Sequence, residues 1–200
     1  LRSLEKRNSS FHWRGEAGNK RELLALAAIP TDGRMVTVQQ ALRAGATVVA
    51  TTRFPHDAAR RYASEPDFAE WGERLQVHGL DLRHSPSVEI FCSQVSHELG
   101  RLDLLVNNAC QTVRRPPGFF EHLLDFEERP LEALPAELQP VVRSHHDCVR
   151  LLEGASAPAA DAAGESFGGL VAWRGGGAGL GLRHSARLSQ VRFGFDEGAR

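Results

Sequence analysis

The sequence predicts a parallel α/β fold, doubly wound, filling the middle of the chain and trailing into an irregular C-terminal tail. Two observations carry this expectation. The runs Ala46 to Ala50, Leu75 to Leu80 and Leu102 to Val106 are short and apolar, as strands buried on both faces should be. Between the second and third run, Val88, Phe91, Cys92, Val95 and Leu99 recur at one helical face. Strands alternating with helices over short links imply right-handed crossovers and predict that the three runs lie as adjacent parallel strands.

The elements follow in order. Residues 1–32 read as a leader: polar and basic first, then a short helical pattern from Lys20 to Ala28, with Leu23, Leu24 and Ala27 on one face, ended by Pro30, Asp32 and Gly33. Residues 33–152 read as the α/β domain. It opens on a short apolar piece, Met35 to Val38, that resembles the start of a first strand, and passes through a brief helix ending at Ala44-Gly45. The β-branched run Thr47-Val48-Val49 marks the first clear strand, and Asp57 to Ala63 a helix. Ser85-Pro86 reads as an N-cap followed by a proline at the first helical position, and Gly100 stops that helix. Val141 to Leu152 fits one more helix. Residues 153–200 form a Gly/Ala-rich tail in which 154–164 resemble a linker and order is expected to be low, apart from a short helix after Gly181.

Composition narrows the function. The 200 residues carry a net charge of −1, which leaves no electrostatic footprint for nucleic acid or an anionic membrane. No apolar run approaches the ~18 residues a membrane span needs. Three widely spaced cysteines, Cys92, Cys110 and Cys148, argue against a disulfide framework and for a reducing, cytoplasmic setting. Lys6 and Lys20 are the only lysines and Tyr62 the only tyrosine, so a mechanism needing either type has few places to find it.

Ligands of open parallel sheets bind outside the carboxyl ends of the strands. The residues there are Thr52 and Arg53, then Asp81 and Leu82, then Asn107, Asn108 and Ala109. Arg53 carries a guanidinium that forks onto phosphate oxygens, and Thr52 can add a hydroxyl donor.

The span ALRAGATVVATTR, followed by GLDLR and RLDLLVNNA, resembles the short-chain dehydrogenase/reductases over about residues 33–120. The resemblance implies a Rossmann-like sheet and an NADP-linked oxidoreductase. It places Arg53 on the 2′-phosphate of NADP, Asp81 at the adenine, and Asn107-Asn108-Ala109 beside the adenosine ribose. Two departures are serious. Between Gly33 and Gly45 there is no glycine, so the phosphate-binding turn at a helix N-terminus is missing. The family's Tyr-x-x-x-Lys pair is missing too: Tyr62 is followed at the fourth position by Pro66, so no catalytic residue is assigned. Gly175, Gly179 and Gly181 repeat the family's glycine spacing at the opposite end of the chain, where a Gly-rich composition makes coincidence the leading explanation.

The expectation is therefore a partial Rossmann-like relative, truncated and inactive as written. The second reading is a non-catalytic nucleotide-binding or interaction module. His145 and Cys148 have helical ligand spacing but lack two further ligands, so no metal is assigned. Cys110 has no base at turn or helical spacing.

Overall fold

A computed structural model of the chain describes residues 24–28, 36–99, 102–107, 118–155 and 179–189. They form a mixed α/β structure around one parallel sheet. Strand β1 (Leu24–Ala28) leads to helix α1 (Val36–Arg43), β2 (Thr47–Thr52), α2 (Pro55–Ala63), the single turn α3 (Phe68–Trp71) and β3 (Leu75–Gly79). Helix α4 (Ser85–Leu99), β4 (Leu104–Val106), α5 (Glu121–Glu127) and α6 (Gln139–Ala155) follow, then the short turns α7 (Leu180–Arg183) and α8 (Ser185–Leu188).

The strand order is β3-β2-β1-β4, and every neighbouring pair is parallel. Leu24 lies opposite Thr47, Ala25 opposite Leu104, and Val48 opposite Leu75. Each crossover needs its helix, because parallel neighbours cannot be joined by a tight turn. The sheet stops at four strands among the described residues, so a complete Rossmann fold is not shown.

Helices cover both faces. On one, Val48, Ala50, Leu75 and Val77 pack with Leu42, Ala59, Tyr62, Trp71, Leu138 and Val142. On the other, Val49 and Leu80 pack with Phe91, Val95, Cys148 and Leu182. Helix α6 runs along β3, which ends the sheet, and so shields an edge that would otherwise offer unpaired backbone groups.

Several expectations are corrected here. Leu24 to Ala28 is a central strand, not part of a leader helix, and the sheet therefore reaches back before residue 33. Val36 begins a helix, not a strand. The strands at 47–52 and 104–106 are parallel but not adjacent, since β1 lies between them. In the tail, helical turns stand where a short helix after Gly181 was expected, and Leu182 is fully buried against α4 and β3. The stretch from Leu170 to Ala178, with its Gly175, and Cys110 lie outside the described residues. No helix among the described residues is long and apolar enough to cross a membrane.

Candidate functional site

The carboxyl ends of β2 and β3 are closed by α7 and α8. The Asp81 amide donates to the Gly181 carbonyl at 2.9 Å, and the Ser185 hydroxyl donates to the Arg53 carbonyl at 2.9 Å. From the other side, the Gly181 amide donates to Ser87 Oγ on α4 at 2.8 Å. A side chain at position 181 would meet His84 and Ser87 at 2.9–3.0 Å, so only glycine lets the segment seat this closely.

This seat determines what the predicted residues do. Thr52 is buried, and its Oγ1 accepts from the Phe54 amide at 3.3 Å. Arg53 lays its guanidinium over the rings of Phe54 and Phe120, 5.6 and 5.3 Å from their centroids. Burial, then the nearby Arg83 cation, lower the Arg53 pKa, with Asp81 opposing. Asp81 is buried and receives Arg83 in a bidentate pair, Nε to Oδ1 at 2.9 Å and Nη2 to Oδ2. Burial works to raise the Asp81 carboxyl, and the bonds from Arg83 hold it below the ordinary carboxylate value. Leu82 and Asn107 are exposed, while Asn108 and Ala109 lie outside the described residues. The structure thus brings Thr52, Arg53 and Asp81 to one edge of the sheet and gives each of the three protein partners there.

A second cluster lies behind that edge, and sequence reasoning missed it. Helix α2 starts on Pro55 with no side-chain cap of its own. Glu127, the last residue of α5, supplies one: its carboxylate accepts the amides of His56 at 3.0 Å and Asp57 at 2.8 Å. These are orphan donors of a helix N-terminus, where negative charge is favoured. Burial pushes the Glu127 carboxyl up to about 7 even so, against the two amide bonds that act to lower it. The His56 ring bonds the Phe126 carbonyl through Nδ1 and the His146 ring through Nε2, both at 2.9 Å. His145 and Cys148, the spacing noted as a ligand pair, are both buried. No group of three or more His, Cys, Asp or Glu among the described residues is placed to hold a metal. Partners 71 and 90 residues apart leave no local signal, which is why this cluster was not legible.

No family model matches the chain, and no solved structure matches it. Among curated proteins, the carbamoyl phosphate synthase large chains of Clavibacter sepedonicus and Clavibacter michiganensis subsp. michiganensis are 72% and 70% identical to it over 47 residues, which is 24% of this chain. An uncharacterized protein of Acanthamoeba polyphaga mimivirus is 34% identical over 108 residues, 51% of this chain and 22% of that protein. The chain spans about 4% of the length of the synthase large chains it matches.

These relatives correct the family expectation. The high-identity matches are to a synthase, not to short-chain dehydrogenase/reductases, and both the oxidoreductase reading and the NADP assignment fall with it. The alternative of a nucleotide-binding or interaction remnant of that family falls for the same reason. The geometry supplies a physical counterpart: the Asp81 carboxylate and the Arg53 face are engaged by Arg83 and by aromatic rings. Tyr62 sits in the core on α2, where burial drives its phenol pKa upward.

Proposed function

We propose that the chain serves carbamoyl phosphate synthesis as a folded segment working within a synthase large chain. The observation that carries this reading is the 72% identity to the Clavibacter sepedonicus synthase over 47 residues. A hydrophobic core tolerates extensive substitution if volume and pattern are kept. Identity at nearly three positions in four therefore extends beyond what folding alone requires, to positions whose chemistry or contacts matter. The small share of the synthase covered, 4%, makes the role a contribution to a larger catalyst.

The test is a transplant. The 47-residue window of the Clavibacter michiganensis synthase is replaced by this chain's version, and carbamoyl phosphate formation is measured. The expected result is a rate within several-fold of the parent. A hundredfold loss in a soluble, folded chimera, roughly 2.7 kcal/mol of transition-state stabilisation, would overturn the reading.

A further inference from the structure

Four imidazoles stand in file through the interior: His78 on β3, His145 and His146 on α6, and His56 on α2. Successive ring centroids are 6.1, 5.6 and 5.1 Å apart. His56, His78 and His145 are buried, and His146 is half-buried.

Their partners fix the protons of a neutral file. The Phe126 carbonyl can only accept, so His56 carries its proton on Nδ1. Its Nε2 then accepts, and His146 donates from its own Nε2. His145 Nδ1 accepts the Gly79 amide at 3.3 Å, which places its proton on Nε2. Among the described residues His78 has no hydrogen-bond partner at either ring nitrogen, and it lies edge-on to Phe91.

We propose that this file is an acid-operated lock on α6: neutral, it seals the helix onto β3 and α2, and proton uptake by the imidazoles releases it. A first imidazolium would sit within 5–6 Å of its neighbours and oppose the second, so the buried file charges by opening rather than ring by ring.

Other charged groups face the file. Helix α2 contributes Asp57, which is already paired with Arg60 and Arg61. Helix α5 contributes Glu127, its Oε2 4.0 Å from His56 Nδ1 and committed to two backbone amides. The turn at Leu131–Ala133 contributes Glu132, α6 itself Asp147 paired with Arg150, and α4 Glu98, which accepts from Ser144 at 3.4 Å. None of these makes an ion pair with His78 or His145.

Burial pushes His56 and His78 down to about 4, and lowers His145 and His146 as well. The closed form is therefore favoured above the ordinary imidazole value of 6.5 and loses ground as pH falls from there toward 4. Glu127 acts in the opposite sense, since its raised pKa favours the closed form as pH falls from about 7 toward 4.5. Four imidazoles against one carboxyl leave a net uptake of protons on opening.

The test is amide hydrogen exchange on the full chain at pH 7 and pH 5, corrected for intrinsic rates. The expected result is at least a tenfold larger rise in opening for Val141 to Leu152 than for the β2 amides, with an uptake above one proton. In His78→Phe, which keeps an aromatic ring and deletes no hydrogen bond, that uptake falls by about one while α6 stays protected at pH 7. Imidazole titrations in the unaltered chain by NMR give a second readout that does not depend on the variant folding. Four ordinary titrations near 6.5 with α6 protection unchanged, or an unchanged uptake in folded His78→Phe, would overturn the lock.

Discussion

At the scale of single residues, Tyr62 and Glu127 show that burial sets what a polar side chain can do. The Tyr62 hydroxyl is buried without a hydrogen-bond partner among the described residues. An unpaired buried hydroxyl costs on the order of 1–3 kcal/mol, so Tyr62→Phe is predicted to leave stability unchanged or raise it by about 1 kcal/mol. Urea denaturation of both proteins measures this, and a loss beyond 1 kcal/mol would mean that the hydroxyl is bonded after all. For Glu127 the sign depends on pH. Its folded pKa of about 7 lies above the ordinary 4.5, so its contribution declines as pH rises between those values. Glu127→Gln removes that dependence. Its stability relative to the parent is predicted to improve between pH 4.5 and 7.5 by up to roughly 3 kcal/mol. A stability difference independent of pH would show that Glu127 titrates normally.

Among the elements, β1 and the α7–α8 segment matter most. Strand β1 is bonded on both sides, to β2 and to β4, so its interior amides serve the ladder. Leu26→Pro removes a donor from a central strand and is predicted to cost 3 kcal/mol or more, seen as loss of cooperative unfolding or of soluble protein. An exposed helix terminus at the same position would tolerate the change far better. In α7, Leu182 is fully buried beneath Phe91 and Cys148. Leu182→Ala is predicted to cost about 2–4 kcal/mol, whereas a loosely attached tail would give less than about 0.5. Chemical denaturation separates the two cases. The short helix expected after Gly181 falls in this segment, and the close seat of Gly181, which fits only without a side chain, is what the sequence did not reveal.

For the whole molecule, the dominant consequence is acid sensitivity. Burial holds His56 and His78 down to about 4 against the ordinary 6.5, which corresponds to roughly 3 kcal/mol apiece lost between those pH values. Glu127 offsets one of them over part of that range. The free energy of unfolding is therefore predicted to fall steeply below pH 6, and a flat profile from pH 7 to 4.5 would contradict it.

The chain's local patterns alone specify the parallel α/β class and most of its alternation. The β-branched run at Thr47 to Val49, the apolar run at Leu75 and the one-faced helix from Ser85 to Leu99 are local patterns, and local patterns report burial on one or both faces. The sequence also brought Thr52, Arg53 and Asp81 to one edge, because a parallel sheet aligns all its carboxyl ends. The tertiary structure decided the rest. Leu24 to Ala28 is built of the best helix formers and became a strand because it fills the gap between β2 and β4, where two ladders outweigh propensity. Glu127 became the cap of α2 and His146 the partner of His56 only through contacts 70–90 residues apart. Such pairings leave no periodicity in the chain, since they depend on where three helices meet and not on what precedes or follows any one residue.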